Sequence, residues 1–155
     1  MIGRKFVMAG ELFVDLVRVE TRLWNAVDAR LRAEHGIRLG QYDLLTVIAG
    51  RPGCRVLDLV HEVAITVGAA SKSVDRLVAA GWCRRVANPA DGRSSFLELT
   101  PAGVRTLSGA RLTYEEEIAR WTSGLLPPGT LEELANGLRT IRAALEAAQR
   151  PGCVP

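Results

Sequence analysis

Leu12, Phe13, Leu16, Leu23, Trp24, Val27 and Leu31 form one helical stripe, predicting a long first helix that ends near Gly36. A second helix runs from about Gln41 to Ala49, where Gly50-Arg51-Pro52-Gly53 breaks it, and a third covers Val56 to Val63. Ala64-Ile65-Thr66 then turns the chain into a fourth helix whose buried stripe is Ala70, Val74, Leu77 and Val78, with Gly81 as the left-handed residue that closes it. The period changes after Gly81. Trp82–Ala87 and Ser95–Leu99 are short runs with β-formers on either side of Asn88-Pro89-Ala90-Asp91-Gly92, the composition of a hairpin with its turn. Thr100 caps and Pro101 opens a further helix. Thr130-Leu131-Glu132-Glu133 has the capping-box pattern for a last one, on which Leu131, Leu134, Leu138, Ile141 and Leu145 share a face. The fold class expected is mainly α with one small β-hairpin (α+β).

The outward face of the fourth helix carries Gly68, Ala69, Ser71, Lys72, Asp75 and Arg76. Small residues let a helix sit deep in a groove, and Ser, Lys and Arg reach base edges or phosphates. A merely solvated face would be richer in Glu and Lys. The hairpin adds Arg84, Arg85 and Arg93 beside one projecting loop, where an arginine at the tip suits a narrow, strongly negative minor groove. Arg84 and Arg85 are strand neighbours and point to opposite faces, so one is expected to meet phosphate and the other an acid. Asp91 is expected to orient the Arg93 guanidinium or to restrain the loop through another arginine. Helix, basic hairpin and capped helix in this order describe a winged helix-turn-helix.

Asp91-Gly92-Arg93-Ser94, leading into Leu97-Glu98-Leu99-Thr100-Pro101-Ala102-Gly103, resembles the signature of the MarR family of bacterial transcriptional regulators. Ser71-Lys72-Ser73-Val74-Asp75-Arg76-Leu77 with Gly81 is similar to that family's recognition helix. The chain departs from the pattern at Trp82-Cys83, where small aliphatic residues are usual, and at Ser71-Lys72, where Thr-Arg is frequent. The resemblance implies a homodimer on double-stranded DNA, recognition helices in successive major grooves, wings in the flanking minor grooves, and release by a small molecule or oxidant. On this resemblance the DNA-contacting residues are Gly68, Ala69, Ser71, Lys72 and Arg76, with Arg84 and Arg93 on the wing. Residues 40–100 would form the DNA-binding lobe, and residues 6–36 and 101–149 the dimerisation helices.

Composition refines this picture. The 155 residues are 48% hydrophobic and carry a formal charge of +3, enough for one compact domain that is only mildly basic. Residues 51–112 hold nine Lys or Arg against five acids, whereas residues 113–155 hold four against six, so positive charge gathers where a phosphate-binding surface is expected. No apolar run reaches the length of a membrane span, and Met1-Ile2-Gly3-Arg4-Lys5 leads into no signal-peptide core, so a cytoplasmic location is expected. The apolar stripes of the first and last helices exceed what one chain can cover, which favours dimerisation. Pro151-Gly152-Cys153-Val154-Pro155 reads as a frayed tail.

The sequence also offers residues for other chemistry. Trp24 and Tyr42 are candidates for an effector pocket, against the plainer reading of core aromatics. Arg18 and Arg22, one turn apart, are candidates for holding an anionic or aromatic carboxylate effector, against a surface or dimer salt bridge. Cys54 and Cys83 would sense oxidants if Arg55 and Arg84 stabilised their thiolates, against inert buried thiols. Cys54, Cys83 and Cys153 contain no CxxC pair, and His35 and His61 announce no metal site, so no cofactor is expected. Cys54, His61 and Asp58 as nucleophile, base and orienter would make a thiol enzyme, but no oxyanion-hole motif accompanies them, and the chain is read as no enzyme. A winged helix that has lost DNA binding and joins proteins instead is the remaining alternative.

Overall fold

The computed structural model describes residues 2–148, with side chains from residue 6 onward. The order of elements is α1 (Ile2–His35), α2 (Leu39–Gly50), α3 (Val56–Val63), α4 (Val67–Ala79), β1 (Cys83–Ala87), β2 (Ser95–Leu99), α5 (Pro101–Thr122) and α6 (Thr130–Ala148). The expected mainly helical fold with one antiparallel hairpin is what forms. The chain divides into two units, Met1–Ile118 and Ala119–Pro155. The expected frayed tail, with Cys153, lies outside the described residues.

In the first unit, one core joins every element from α1 to α5. Val27 and Leu31 of α1, Leu44, Leu45 and Ile48 of α2, Leu59 of α3, Val74 and Leu77 of α4, Cys83 of β1, Leu97 of β2 and Ala110 of α5 are all buried together. Covering a leucine fully is worth about 1.5–3 kcal/mol, so this cluster supplies most of the drive for folding. Val78, expected in the buried stripe of α4, is instead 38% exposed, because Ala70, Val74 and Leu77 already fill the side that meets the core. α2 starts two residues earlier than the periodicity suggests. Arg38 precedes it in extended backbone, and its N–H donates to Gln41 Oε1 at 3.0 Å, while the Leu39 N–H donates to Asp28 Oδ1 at 2.8 Å.

The helix-turn-helix is built by local caps. The Arg55 N–H donates to Asp58 Oδ2 at 2.7 Å and starts α3. Ala64 ends it in the left-handed conformation, with φ of 53°. Thr66 then starts α4, its Oγ1 accepting from the Ala69 N–H at 3.2 Å. The hairpin pairs Cys83 with Leu99, Arg84 with Glu98, Arg85 with Leu97, Val86 with Phe96 and Ala87 with Ser95. Leu97 donates its N–H to the Cys54 carbonyl at 2.7 Å, which fastens β2 to the segment entering α3.

The base of the hairpin is clamped by Thr100. Its Oγ1 donates to the Gly81 carbonyl at 2.6 Å and accepts from the Gly103 N–H at 3.0 Å, while its own N–H donates to the Trp82 carbonyl. Gly81 has the expected left-handed backbone, with φ of 73°. Gly103 packs so closely on Trp82 that a Cβ there would collide with the Trp82 carbonyl oxygen. This approach explains why the Thr-Pro-Ala-Gly run must end in glycine.

In the second unit, α6 carries Leu131, Leu134, Leu138, Ile141 and Leu145 on one side, each between 37% and 58% exposed. The outer part of α1 is also apolar and uncovered: Phe6, Val7, Met8, Leu12 and Phe13 are all more than half exposed. Among the described residues, no helix is long and apolar enough to cross a membrane.

Candidate nucleic-acid interface

Thr66 aims the first turn of α4 out of the lobe, with Gly68 and Ala69 exposed beside it. Lys72 and Arg76 follow one turn apart on the exposed side, and Ser71 sits at the margin, partly buried. The first turn holds no acid, so its free N–H groups and the positive end of the helix dipole face outward together with these cations.

The wing presents a braced tip. The Ala90 N–H donates to Asn88 Oδ1 at 3.0 Å, Asn88 Nδ2 donates to Ser94 Oγ at 2.8 Å, and Ser94 Oγ in turn donates to the Asp91 carbonyl. Asp91 does not hold the Arg93 guanidinium, contrary to expectation. Its Oδ1 accepts from the Arg93 backbone N–H at 3.0 Å, so the carboxylate shapes the turn and leaves the side chain of Arg93 exposed. The wing tip therefore offers one cation on a fixed loop.

The neighbouring arginines are handled differently. Arg84 and Arg85 do point to opposite faces, but each meets an acid. Arg84 Nη2 lies 2.7 Å from Oε2 of Glu98, its partner across the hairpin. Arg85 lies opposite buried Leu97, on the inner face, and its Nη2 reaches Oδ1 of Asp75 on α4 at 2.9 Å. Asp75 and Glu98 are thus each occupied by a wing arginine. Among the described residues, Lys72, Arg76 and Arg93 form no ion pair. The two acid partners were not found from sequence. The Arg84–Glu98 pair follows from the register once the turn is placed, whereas Asp75 and Arg85 meet only through tertiary packing.

The effector candidates are not gathered into one cavity. Tyr42 is 7% exposed and stacks on Tyr114 with ring centroids 4.8 Å apart, so its ring is taken up by the core. Burial pushes its phenol above the ordinary tyrosine range. Arg18 and Arg22 lie on the exposed length of α1, where Arg22 Nη1 donates to the Arg18 carbonyl at 3.2 Å. Trp24 is partly exposed and lines a shallow depression of about 220 Å³ with Glu20 and Thr21, all on α1. Arg18, Arg22 and Tyr42 do not line it.

Among the described residues, neither Cys54 nor Cys83 is activated. Cys54 is fully buried and its thiol is pushed up to about 11, chiefly by burial and then by Asp58, with Arg51 giving only partial relief. Cys83 is likewise buried and shifted upward. The condition for oxidant sensing, thiolates stabilised by Arg55 and Arg84, is not met: Arg55 is 3.9 Å from Asp58, Arg84 serves Glu98, and desolvation dominates at both sulfurs. Asp58 accepts from the Arg55 N–H and pairs with Arg51 at 3.1 Å, so it caps α3 and braces the loop rather than serving a catalytic set with Cys54 and His61.

These features have clear relatives. Residues 35–94, which span the helix-turn-helix and most of the wing, match the MarR family model. A putative transcriptional regulatory protein for the hcr operon of Thauera aromatica is 31% identical over 101 residues, covering 65% of this chain and 61% of that protein. The HTH-type transcriptional regulator BilQ of Clostridium symbiosum is 31% identical over 83 residues, covering 54% and 58%. The chain thus spans about three fifths of the length of the curated relatives it matches. Among solved structures, Sco3205, a MarR family regulator from Streptomyces coelicolor crystallised with DNA, superposes with a TM-score of 0.83 at 24% identity, over 94% of this chain and 93% of that one. Residues 35–94 thus match the MarR family model, and the fold is similar to that of a solved winged helix-turn-helix regulator of that family.

Proposed function

We propose that this chain is a sequence-specific, double-stranded-DNA-binding transcriptional regulator that acts without catalysis, in the cytoplasm, as a homodimer. The observation that carries the reading is the sorting of charge on the lobe. Asp75 and Glu98 each hold a wing arginine, while Lys72 and Arg76, beside the small residues Gly68 and Ala69, and Arg93 at the wing tip keep their charges free for DNA. In this reading α4 enters the major groove, with Ser71, Lys72 and Arg76 reaching base edges and phosphates, and Arg93 enters the adjacent minor groove. Arg84 shares its charge with Glu98 and adds less. Relatives described as transcriptional regulators, and a similar fold crystallised with DNA, support the same assignment.

Two such lobes would read a pseudo-palindromic operator with half-sites about one helical turn apart, ~10 base pairs. The regulator represses by occupying that site. A small effector, anionic or aromatic, acts from the exposed surface of α1 around Arg18, Arg22 and Trp24 by changing the spacing of the two lobes. Because both half-sites must be met together, a small change in spacing loses both contacts.

Selection of bound sequences from a random duplex library at near-physiological salt tests this. Recovery of an inverted repeat is expected. Folded protein that enriches no sequence would favour a winged helix that joins proteins and not DNA.

A further inference from the structure

The ion pair between α4 and β1 bears on how tightly DNA is held. Asp75 sits three residues after Lys72 and directly before Arg76, and its carboxylate is 65% exposed, at the same surface as those cations. Arg85 reaches it from the inner face of the wing, where its partner across the hairpin is the buried Leu97. The Arg85 side chain is 35% exposed and its guanidinium ends 2.9 Å from Asp75 Oδ1, so the cation lies at the edge of the recognition surface and not inside the core. A carboxylate and a phosphate compete for the same N–H groups of an arginine, and the carboxylate fixed on the next element is always present.

We propose that Asp75 sets the strength of the DNA grip: by occupying Arg85 it withholds that arginine from the DNA backbone. This rests on the reading of the lobe as a DNA-binding surface. Phosphate contacts carry no sequence information and add affinity for every duplex alike. An arginine kept off the phosphates therefore weakens binding to operator and random duplex by the same factor and leaves their ratio unchanged. The same pair ties β1 to the third turn of α4, but a purely structural tie would leave the number of phosphates contacted unchanged.

The experiment compares wild type, Asp75→Asn, Arg85→Gln and the double variant by fluorescence anisotropy, on the selected operator and on a random duplex, across a salt series. Freed Arg85 gives Asp75→Asn a log–log salt slope steeper by about 0.9 per protomer, and about tenfold tighter binding to operator and random duplex alike at low salt. Arg85→Gln keeps the wild-type slope, and Asp75→Asn/Arg85→Gln returns to it. An unchanged slope in Asp75→Asn overturns the proposal, as does a shallower slope in Arg85→Gln, which would mean that Arg85 already touches phosphate. Thermal melts of all four proteins accompany the titrations, and variants that lose thermal stability with no change in slope would identify the pair as a structural tie alone. Wild type that binds neither duplex in a salt-dependent way would overturn the DNA-binding reading itself, and this inference with it.

Discussion

The lobe from α2 to β2 and the outer helices treat their apolar residues in opposite ways. In the lobe, Leu45, Leu59, Val74 and Leu77 are fully buried and Leu97 is 2% exposed. On α6, Leu131, Leu134, Leu138, Ile141 and Leu145 remain between 37% and 58% exposed, and on α1 Phe13 is 65% exposed. The lobe's core, with Val27 and Leu31 of α1 and Ala110 of α5 completing it, closes within a single chain, whereas the outer lengths of α1 and α6 carry stripes that stay exposed. Apolar patches of this extent mark interaction sites, and an isologous contact with a second copy covers the same stripe twice. A reader of DNA needs its recognition helix and wing held at fixed spacing, and a self-sufficient core provides that before any partner arrives.

The strongest way to break the comparison is to open the lobe from inside. Gly103→Ala sets a methyl against the Trp82 carbonyl, a backbone atom held by the Thr100 N–H and unable to step aside without unclamping the hairpin. A loss of about 3 kcal/mol or more is expected, from strain in a packed site, read by urea unfolding followed by circular dichroism. Wild-type stability in this variant would show that the wing base is not the rigid element described here.

A second test works on the other side. Leu134→Lys combined with Leu138→Lys places two charges on the apolar face of α6, where both leucines are exposed in the single chain. The lobe should keep its unfolding midpoint at low protein concentration. Self-association in sedimentation velocity should weaken by about 3 kcal/mol for the pair, the transfer cost of two leucine-sized contacts. Unchanged association would move the proposed dimer seam away from α6.

Much of this contrast was legible in the sequence, and the exceptions are instructive. The helices, the hairpin and the Thr100 cap follow from period and turn chemistry, because each is decided by residues within a few positions. Ala70, Val74 and Leu77 were correctly placed in the core, but Val78 was not, since helical spacing gives a stripe without its edges. The exposed cations Lys72, Arg76 and Arg93 could be named from their elements. The partners of Arg84 and Arg85 could not, because pairing with Glu98 depends on hairpin register and pairing with Asp75 depends on how β1 lies along α4. Asp91 was assigned to the right loop with the wrong bond: short acids in turns cap backbone N–H groups at least as readily as they hold side chains. Tyr42 takes the plainer of its two readings, a core aromatic rather than a pocket wall, and its partner Tyr114, 72 positions along the chain, is beyond the reach of local pattern.

The completeness of the lobe's core can be measured at Cys54. Its thiol ionises near 8.5 in the unfolded chain and is pushed up to about 11 in the fold. A raised acid favours the folded state below the unfolded value, and this contribution is lost as pH climbs toward 11. Wild type should therefore lose stability between about pH 9 and 11 more steeply than Cys54→Ala. At pH 8 the native thiol should react with a maleimide on the order of a hundredfold more slowly than a free thiol, from its smaller thiolate fraction alone. Rapid labelling without unfolding would mean that the core under the wing is open to water.

The smallest effect separates two classes of cation on the lobe's surface. Lys72→Ala or Arg93→Ala removes a charge that no acid compensates, and each should cost about 1–3 kcal/mol in operator binding while leaving the melting temperature in place. Arg84→Gln removes a charge that Glu98 already answers at 2.7 Å on the outer face of the wing. Exposed pairs of this kind contribute about 0–1 kcal/mol to stability, so the fold should barely register the change. Operator affinity should fall by less than in the other two variants, and the salt slope should shift by a fraction of one phosphate. The uncovered Glu98 carboxylate would then repel DNA slightly, so Arg84→Gln/Glu98→Gln should recover most of the loss. If Arg84→Gln instead weakened binding as much as Arg93→Ala, and the double variant gave no recovery, Arg84 would be a phosphate contact that leaves Glu98 when DNA arrives, and the sorting of charges on the free lobe would not be the sorting that binds.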